Sequence, residues 1–106
     1  MSSLLDKRRD LDAVDKMIFD EGLRIRSVHV DQEFDLMLII LSNKKILKRK
    51  LGITARLKNA NEAQLKNFTI SRTGIHWPEL DEDLSLRSFL KEEMLNAIKK
   101  DFSLAD

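Results

Sequence analysis

The sequence predicts an α+β domain: a small antiparallel β-sheet of three to four strands with an N-terminal and a C-terminal α-helix. Three observations predict it. Apolar residues recur at helical spacing near both ends of the chain, the middle alternates as strands do, and glycine or proline punctuates the changes of pattern. The 106 residues suffice for one domain that buries about two thirds of its unfolded surface without disulfides or metal. No repeat, low-complexity tract or flexible linker divides the chain. Residues 1–106 therefore read as one domain, with a sheet-bearing part at about 24–90 and helices at about 4–21 and 86–100.

In the first segment Leu4, Leu11, Val14, Met17 and Ile18 share one helical face, while Lys7, Arg8, Asp10, Asp12 and Asp15 fill the other. Ser3 with Asp6 three residues on is a capping-box-like start, and Gly22 supplies a left-handed stop. Arg24 to Asp31 alternates imperfectly around Ile25, Val28 and Val30, which predicts a strand with a bulge near Ser27. Phe34 to Leu41, apolar on both faces from Leu36 onward, is the expected central strand. Ser42-Asn43-Lys44 turns the chain, and Lys45 to Leu51 returns antiparallel, Ile46 facing inward and lysines outward. Gly52 ends that run. Ile53 to Lys66 fits one or two short helical turns, restarted by Asn61 as N-cap. Phe68, Ile70 and Ser71 resume strand alternation up to Thr73-Gly74, and Ile75 to Trp77 continue extended until Pro78. After an acidic loop, Ser85 caps a last helix striped by Leu86, Phe89, Leu90, Met94 and Ile98.

Composition excludes several function classes. Without cysteine there is no thiol catalysis, thiolate metal site or disulfide, and a reducing cytoplasm is permitted. The charges before any apolar run at the N-terminus, and a longest apolar run of Leu36 to Leu41, argue against export or a bilayer span, so a cytoplasmic location is expected. Nineteen basic and eighteen acidic residues nearly cancel, so net charge does not favour nucleic acid. Their distribution is uneven. Lys44, Lys45, Lys48, Arg49, Lys50, Arg56 and Lys58 fall in a stretch free of acids, a candidate polyanion contact through the basic hairpin at 44–58. Lysine on an edge strand also protects against sheet-to-sheet aggregation, and no aromatic residue between Lys44 and Lys58 offers a stacking platform.

The segment Gly74-Ile75-His76-Trp77-Pro78-Glu79-Leu80-Asp81-Glu82-Asp83 gathers the only Trp, the only Pro, one of two His and four carboxylates. Asp81 and Asp83 at alternate positions resemble the start of an oxygen-ligand site, but the sharp-turn glycine and bidentate Glu of a calcium loop are missing. These acids are expected at the start of the last helix, favoured by its dipole, with no metal or other cofactor. In an extended segment His76 and Trp77 point to opposite faces, and Trp77 is expected to anchor the core. No nucleophile-elbow glycines flank Ser27, Ser42 or Ser71, and Gly22, Gly52 and Gly74 lie too far apart to cradle phosphate. A non-enzyme is expected.

Together with Ala55-Arg56-Leu57-Lys58-Asn59-Ala60-Asn61-Glu62-Ala63-Gln64-Leu65 upstream, this segment resembles the small prokaryotic domain-of-unknown-function 2442 family. The resemblance rests on a GIHWPELDEDLS-like signature, here Gly74, Ile75, His76, Trp77, Pro78, Leu80, Asp81 and Asp83, and spans roughly Ile25 to Leu90. It implies a compact α+β domain with a small antiparallel sheet, encoded beside another small protein in an arrangement similar to that of toxin–antitoxin pairs. It carries over no catalytic or binding residue. The expected role is a protein-interaction module, with an antitoxin-like partner of a small protein as its narrower form and nucleic-acid binding through the basic hairpin as the alternative. Apolar Leu5, Leu95 and Phe102 lie off the main helical stripes, so a protein partner or a homodimer is expected to cover them.

Overall fold

The computed structural model describes the backbone of residues 13–105 and the side chains of residues 13–97. The chain is α+β, as its alternation and periodicity predict, with six strands in two three-stranded antiparallel sheets. Residues 13–20 are helical (α1) and close in a π-helical turn, Lys16–Asp20, that buries Ile18 beside Val14. Gly22 ends α1 at a φ of 73°, while the Leu23 N–H donates to the Met17 carbonyl at 2.8 Å. The expected helix at 4–12, with its Ser3 and Asp6 start, lies outside the described residues.

The first sheet runs β1 (Ile25–Asp31), β2 (Leu36–Leu41) and β3 (Ile46–Lys50), with β2 in the centre. The bulge expected near Ser27 is present, as the β1–β2 register slips between Ile25 and Ser27. Two expectations fail here. Phe34 is not in the central strand: Asp31 accepts the Phe34 N–H at 3.1 Å, Asp35 turns at positive φ, and the ring is left 73% exposed. Nor does Ile46 face inward. It pairs with Ile40 on the outer face while Leu47 pairs with Ile39 in the core, because the three-residue turn at Ser42–Lys44 with Lys44 at φ 74° sets the register one residue on.

Leu51–Ile53 is one 3-10 turn, followed by α2 (Ala55–Lys58) and α3 (Glu62–Lys66). Thr54 caps α2 through the Leu57 N–H, and Asn61 starts α3 in a reciprocal capping box with Gln64. On the outer side of α3 the Glu62 carboxylate accepts a hydrogen bond from Lys66 Nζ at 2.8 Å, and this bond and its charge hold the ammonium above the ordinary lysine range.

The second sheet corrects the reading of residues 68–85. What reads as one extended run is a hairpin, β4 (Thr69–Ser71) and β5 (Gly74–Trp77), joined by a two-residue turn at Arg72-Thr73. The acidic stretch after Pro78 is not a loop. A 3-10 turn, Pro78–Leu80, and Asp81 in the left-handed region reverse the chain into β6 (Glu82–Ser85), which pairs with β5. The final helix, α4 (Leu86–Ala105), begins where the Ser85 hydroxyl accepts the Ser88 N–H at 3.1 Å. Leu86, Phe89 and Leu90 of its stripe are buried, whereas Met94 and Leu95 are exposed.

One cluster of buried apolar side chains joins both sheets to the helices: Val14 and Ile18, Ile25 and Val28, Met37, Ile39 and Leu41, Leu47, Leu57, Leu65, Ile75, Trp77, Leu86 and Phe89 among them. β1 and β4 lie in contact, so the two sheets meet there, and α4 packs on β5 and β6. No helix among the described residues is long and apolar enough to cross a membrane.

Candidate functional site

Chemistry-bearing side chains lie on the surface, since no polar or charged residue among those described is buried. Strand alternation in β5 sends Ile75 and Trp77 into the core and turns His76 to the other face. Trp77 is fully buried, donates its indole N–H to the Leu65 carbonyl at 3.0 Å, and lies 5.9 Å from the Phe68 ring. Gly74 sits where β5 crosses β6 so closely that any Cβ would collide with the Leu84 carbonyl oxygen. These signature residues hold backbone in place.

His76 does more than decorate the outer face. Its direct cross-strand partner on β6 is Asp83, and Ser71 lies diagonally across on β4. The Asp83 carboxylate is 2.7 Å from His76 Nδ1, and the Ser71 Oγ is 2.7 Å from Nε2. Sequence spacing did not bring these three together. The signal that could have done so was the tight turn at Arg72-Thr73, which fixes the register of Ser71 against Gly74 and thus of Thr69 against His76.

The atom order is that of a serine nucleophile, its base and the base's orienting carboxylate. Its surroundings are not. The Asp83 side chain is 72% exposed, so water rather than a low-dielectric pocket solvates the charge. An open cleft of about 270 Å³ between β5, β6 and α4 is lined by His76, Asp83, Phe89 and Glu92, but Ser71 is not on its wall. The arrangement therefore suits a clip across three short strands.

The acidic residues expected to serve the last helix disperse to other partners. Asp81 accepts from the Arg56 guanidinium at its backbone oxygen and has its carboxylate 3.7 Å away, Asp83 takes His76, and Ser85 alone caps α4. The register of β6 sets Asp83 against His76 of β5, while Asp81 lies in the left-handed turn before the strand. No three His, Asp or Glu side chains among the described residues converge as metal ligands.

The basic hairpin divides into two groups. Lys44, Lys45, Lys48, Lys50 and Lys58 are exposed. Arg49 lies instead on the inner face, 12% exposed, where it donates to Glu92 at 3.0 Å and Glu93 at 3.2 Å and stacks over the Phe89 ring. Arg56 is engaged with Asp81. Of seven candidate polyanion contacts, these two are committed inside the molecule.

The first sheet has an outer face that a central strand apolar on both sides leads one to expect covered, and it is only partly so among the described residues. Its outer face carries Leu36, Leu38 and Ile40 in a line down β2, all half-buried, and Ile46 beside Ile40, 58% exposed. Ser27, His29 and Asp31 border this line on β1, and Lys48 and Lys50 border it on β3. None of these outer-face residues is buried.

The fold is similar to that of two solved proteins without assigned function. A protein of unknown function from Rhodospirillum rubrum matches with a TM-score of 0.58 and 25% identity over 66% of this chain and 87% of that one. An uncharacterised protein from Chromobacterium violaceum, solved by solution NMR, matches with a TM-score of 0.59 and 28% identity over 77% of this chain and 80% of that one. No curated protein matches. The family model described as protein of unknown function (DUF2442) matches residues 25–94, from the start of β1 into α4 and including the whole signature, and the chain belongs to that family.

Proposed function

We propose that this protein is a non-enzymatic protein-interaction module, and that the outer face of the first sheet is the surface it offers. The observation that carries the reading is the amphipathic failure of β2: Met37, Ile39 and Leu41 fill the core, yet Leu36, Leu38 and Ile40 on the opposite side are equally apolar. A strand with one solvated face alternates apolar with polar residues, and a strand apolar on both faces normally has both covered. Exposed Met94 and Leu95 on α4 add a second apolar margin of the kind interfaces use.

The narrower form of this reading is an antitoxin-like partner of a small protein. Nucleic-acid binding is the second reading, favoured by the exposed Lys44, Lys45, Lys48 and Lys50 on one hairpin, and disfavoured by the absence of Phe, Tyr and Trp from β1, β2 and β3. Sedimentation across a concentration series, with affinity capture from native extract, tests the module reading on the wild-type chain and on Ile46→Glu. Self-association or a specific partner lost in the variant, with circular dichroism unchanged, is the expected result. A monomer that retains no partner and binds DNA or RNA with a steep salt dependence, abolished by neutralising Lys48 and Lys50, would replace it with the second reading.

A further inference from the structure

The outer face of the first sheet has a shape and a charge asymmetry that describe what covers it. Register places three rows across the face: Ser27–Ile40–Ile46, His29–Leu38–Lys48 and Asp31–Leu36–Lys50. The apolar part is a single line, Leu36 to Ile40, along β2, a strand six residues long and thus about 17–20 Å, with polar side chains along both borders except at Ile46. An added strand would need a free sheet edge and would leave this line uncovered. A helix laid along β2 covers it, and at 1.5 Å per residue about 12 to 13 residues match its length.

The borders differ in charge. On the β3 side Lys48 and Lys50 follow the line, with Lys44 and Lys45 at the hairpin tip beyond Ile46, and among the described residues no carboxylate pairs with these four. Arg49, the one basic residue of β3 on the inner face, is already matched by Glu92 and Glu93. On the β1 side the border is Ser27, His29 and Asp31, without a lysine or arginine.

We infer that the face receives an amphipathic helix of a partner protein, its apolar stripe on Leu36, Leu38, Ile40 and Ile46 and a row of carboxylates on the flank over β3. This inference rests on the interaction-module reading and adds the chemistry and orientation of the partner. Complementary charge along one flank fixes which way round such a helix lies and excludes helices with a basic flank.

The test uses the full chain and a labelled helical peptide of three to four turns, roughly the length the line accepts, with leucines at helical spacing and glutamates on one flank. Three comparison probes are the same peptide with lysine for glutamate, the same with serine for leucine, and a double-stranded DNA oligonucleotide. Fluorescence anisotropy should detect binding of the acidic peptide and about tenfold weaker binding by Lys48→Glu/Lys50→Glu, with Lys91→Glu, exposed on α4, unchanged. Amide NMR shifts should fall within Leu36–Leu41 and Ile46–Lys50. Equal binding of the lysine or serine peptide, shifts elsewhere, or displacement of the peptide by DNA at lower concentration would each overturn the inference. If no peptide binds but the Ile46→Glu-sensitive association persists, the occupant is a second copy or a differently built partner, and the inference falls while the module reading stands. Loss of both sinks both.

Discussion

Trp77 and Gly74 show how much of the signature is structural. The Trp77 ring fills the space between the second sheet and α3, and its N–H satisfies a Leu65 carbonyl that would otherwise face apolar side chains. Trp77→Ala should lower unfolding free energy by about 3–5 kcal/mol in denaturant titration, a large share of the roughly 5–15 kcal/mol that holds an ordinary domain folded. Trp77→Phe retains much of the ring but abandons the carbonyl, and should cost about 1–3 kcal/mol. Gly74→Ala drives a methyl into the Leu84 backbone, which cannot move without breaking the β5–β6 pairing. Urea melts should therefore register a loss of about 1–3 kcal/mol or more for the smallest possible addition.

At the level of elements, the short helices and the long one are held by different means. α3 has five residues, too few to be stable alone, and depends on its capping box. Asn61→Ala should cost about 1 kcal/mol, seen as a lower thermal midpoint. α4 is tied to the first sheet by Arg49, whose guanidinium reaches two carboxylates and an aromatic face from the inner side of β3. Partial exposure of Glu92 and Glu93 weakens each bond through solvent. Arg49→Ala should still cost about 1–2 kcal/mol, and Arg49→Lys should recover little of it because an ammonium cannot form the same fork. Equal stability of Arg49→Lys and wild type in a denaturant series would refute the fork.

Across the whole molecule, one apolar cluster draws on both sheets, α1 and α4, so neither sheet has a core of its own. Thermal unfolding followed by Trp77 fluorescence, which reports the second sheet, should coincide with far-ultraviolet circular dichroism, which reports both sheets and the helices. Two separated transitions would show that the sheets fold independently. The surface charge is distributed differently from the core. Lysines cluster on the β2–β3 hairpin and acids on the turn into β6, an uneven distribution that the net charge of +1 conceals.

Much of the fold was legible because its cues are local. Gly22 needs positive φ, Asn61 with Gln64 forms its box within one turn, Ser85 caps at once, and the apolar period of β2 is read within six residues. Trp77 also declared its burial, since an extended segment must send it and His76 opposite ways. Local cues therefore fixed the class of fold and most elements up to Lys66, together with the last helix start. Tertiary structure decided what those local cues leave open: register and partner. A one-residue difference in the turn at Lys44 exchanged Ile46 for Leu47 in the core, two turns folded residues 69–85 into three strands, and that pairing brought Ser71, His76 and Asp83 together from separate strands. The same holds for Arg49 and Arg56, equivalent to their lysine neighbours as charges in a list and distinct only because α4 and Asp81 stand opposite them. Strand side chains repeat every two residues, so pattern specifies a face up to a shift of one, and only the packed molecule selects between the two choices.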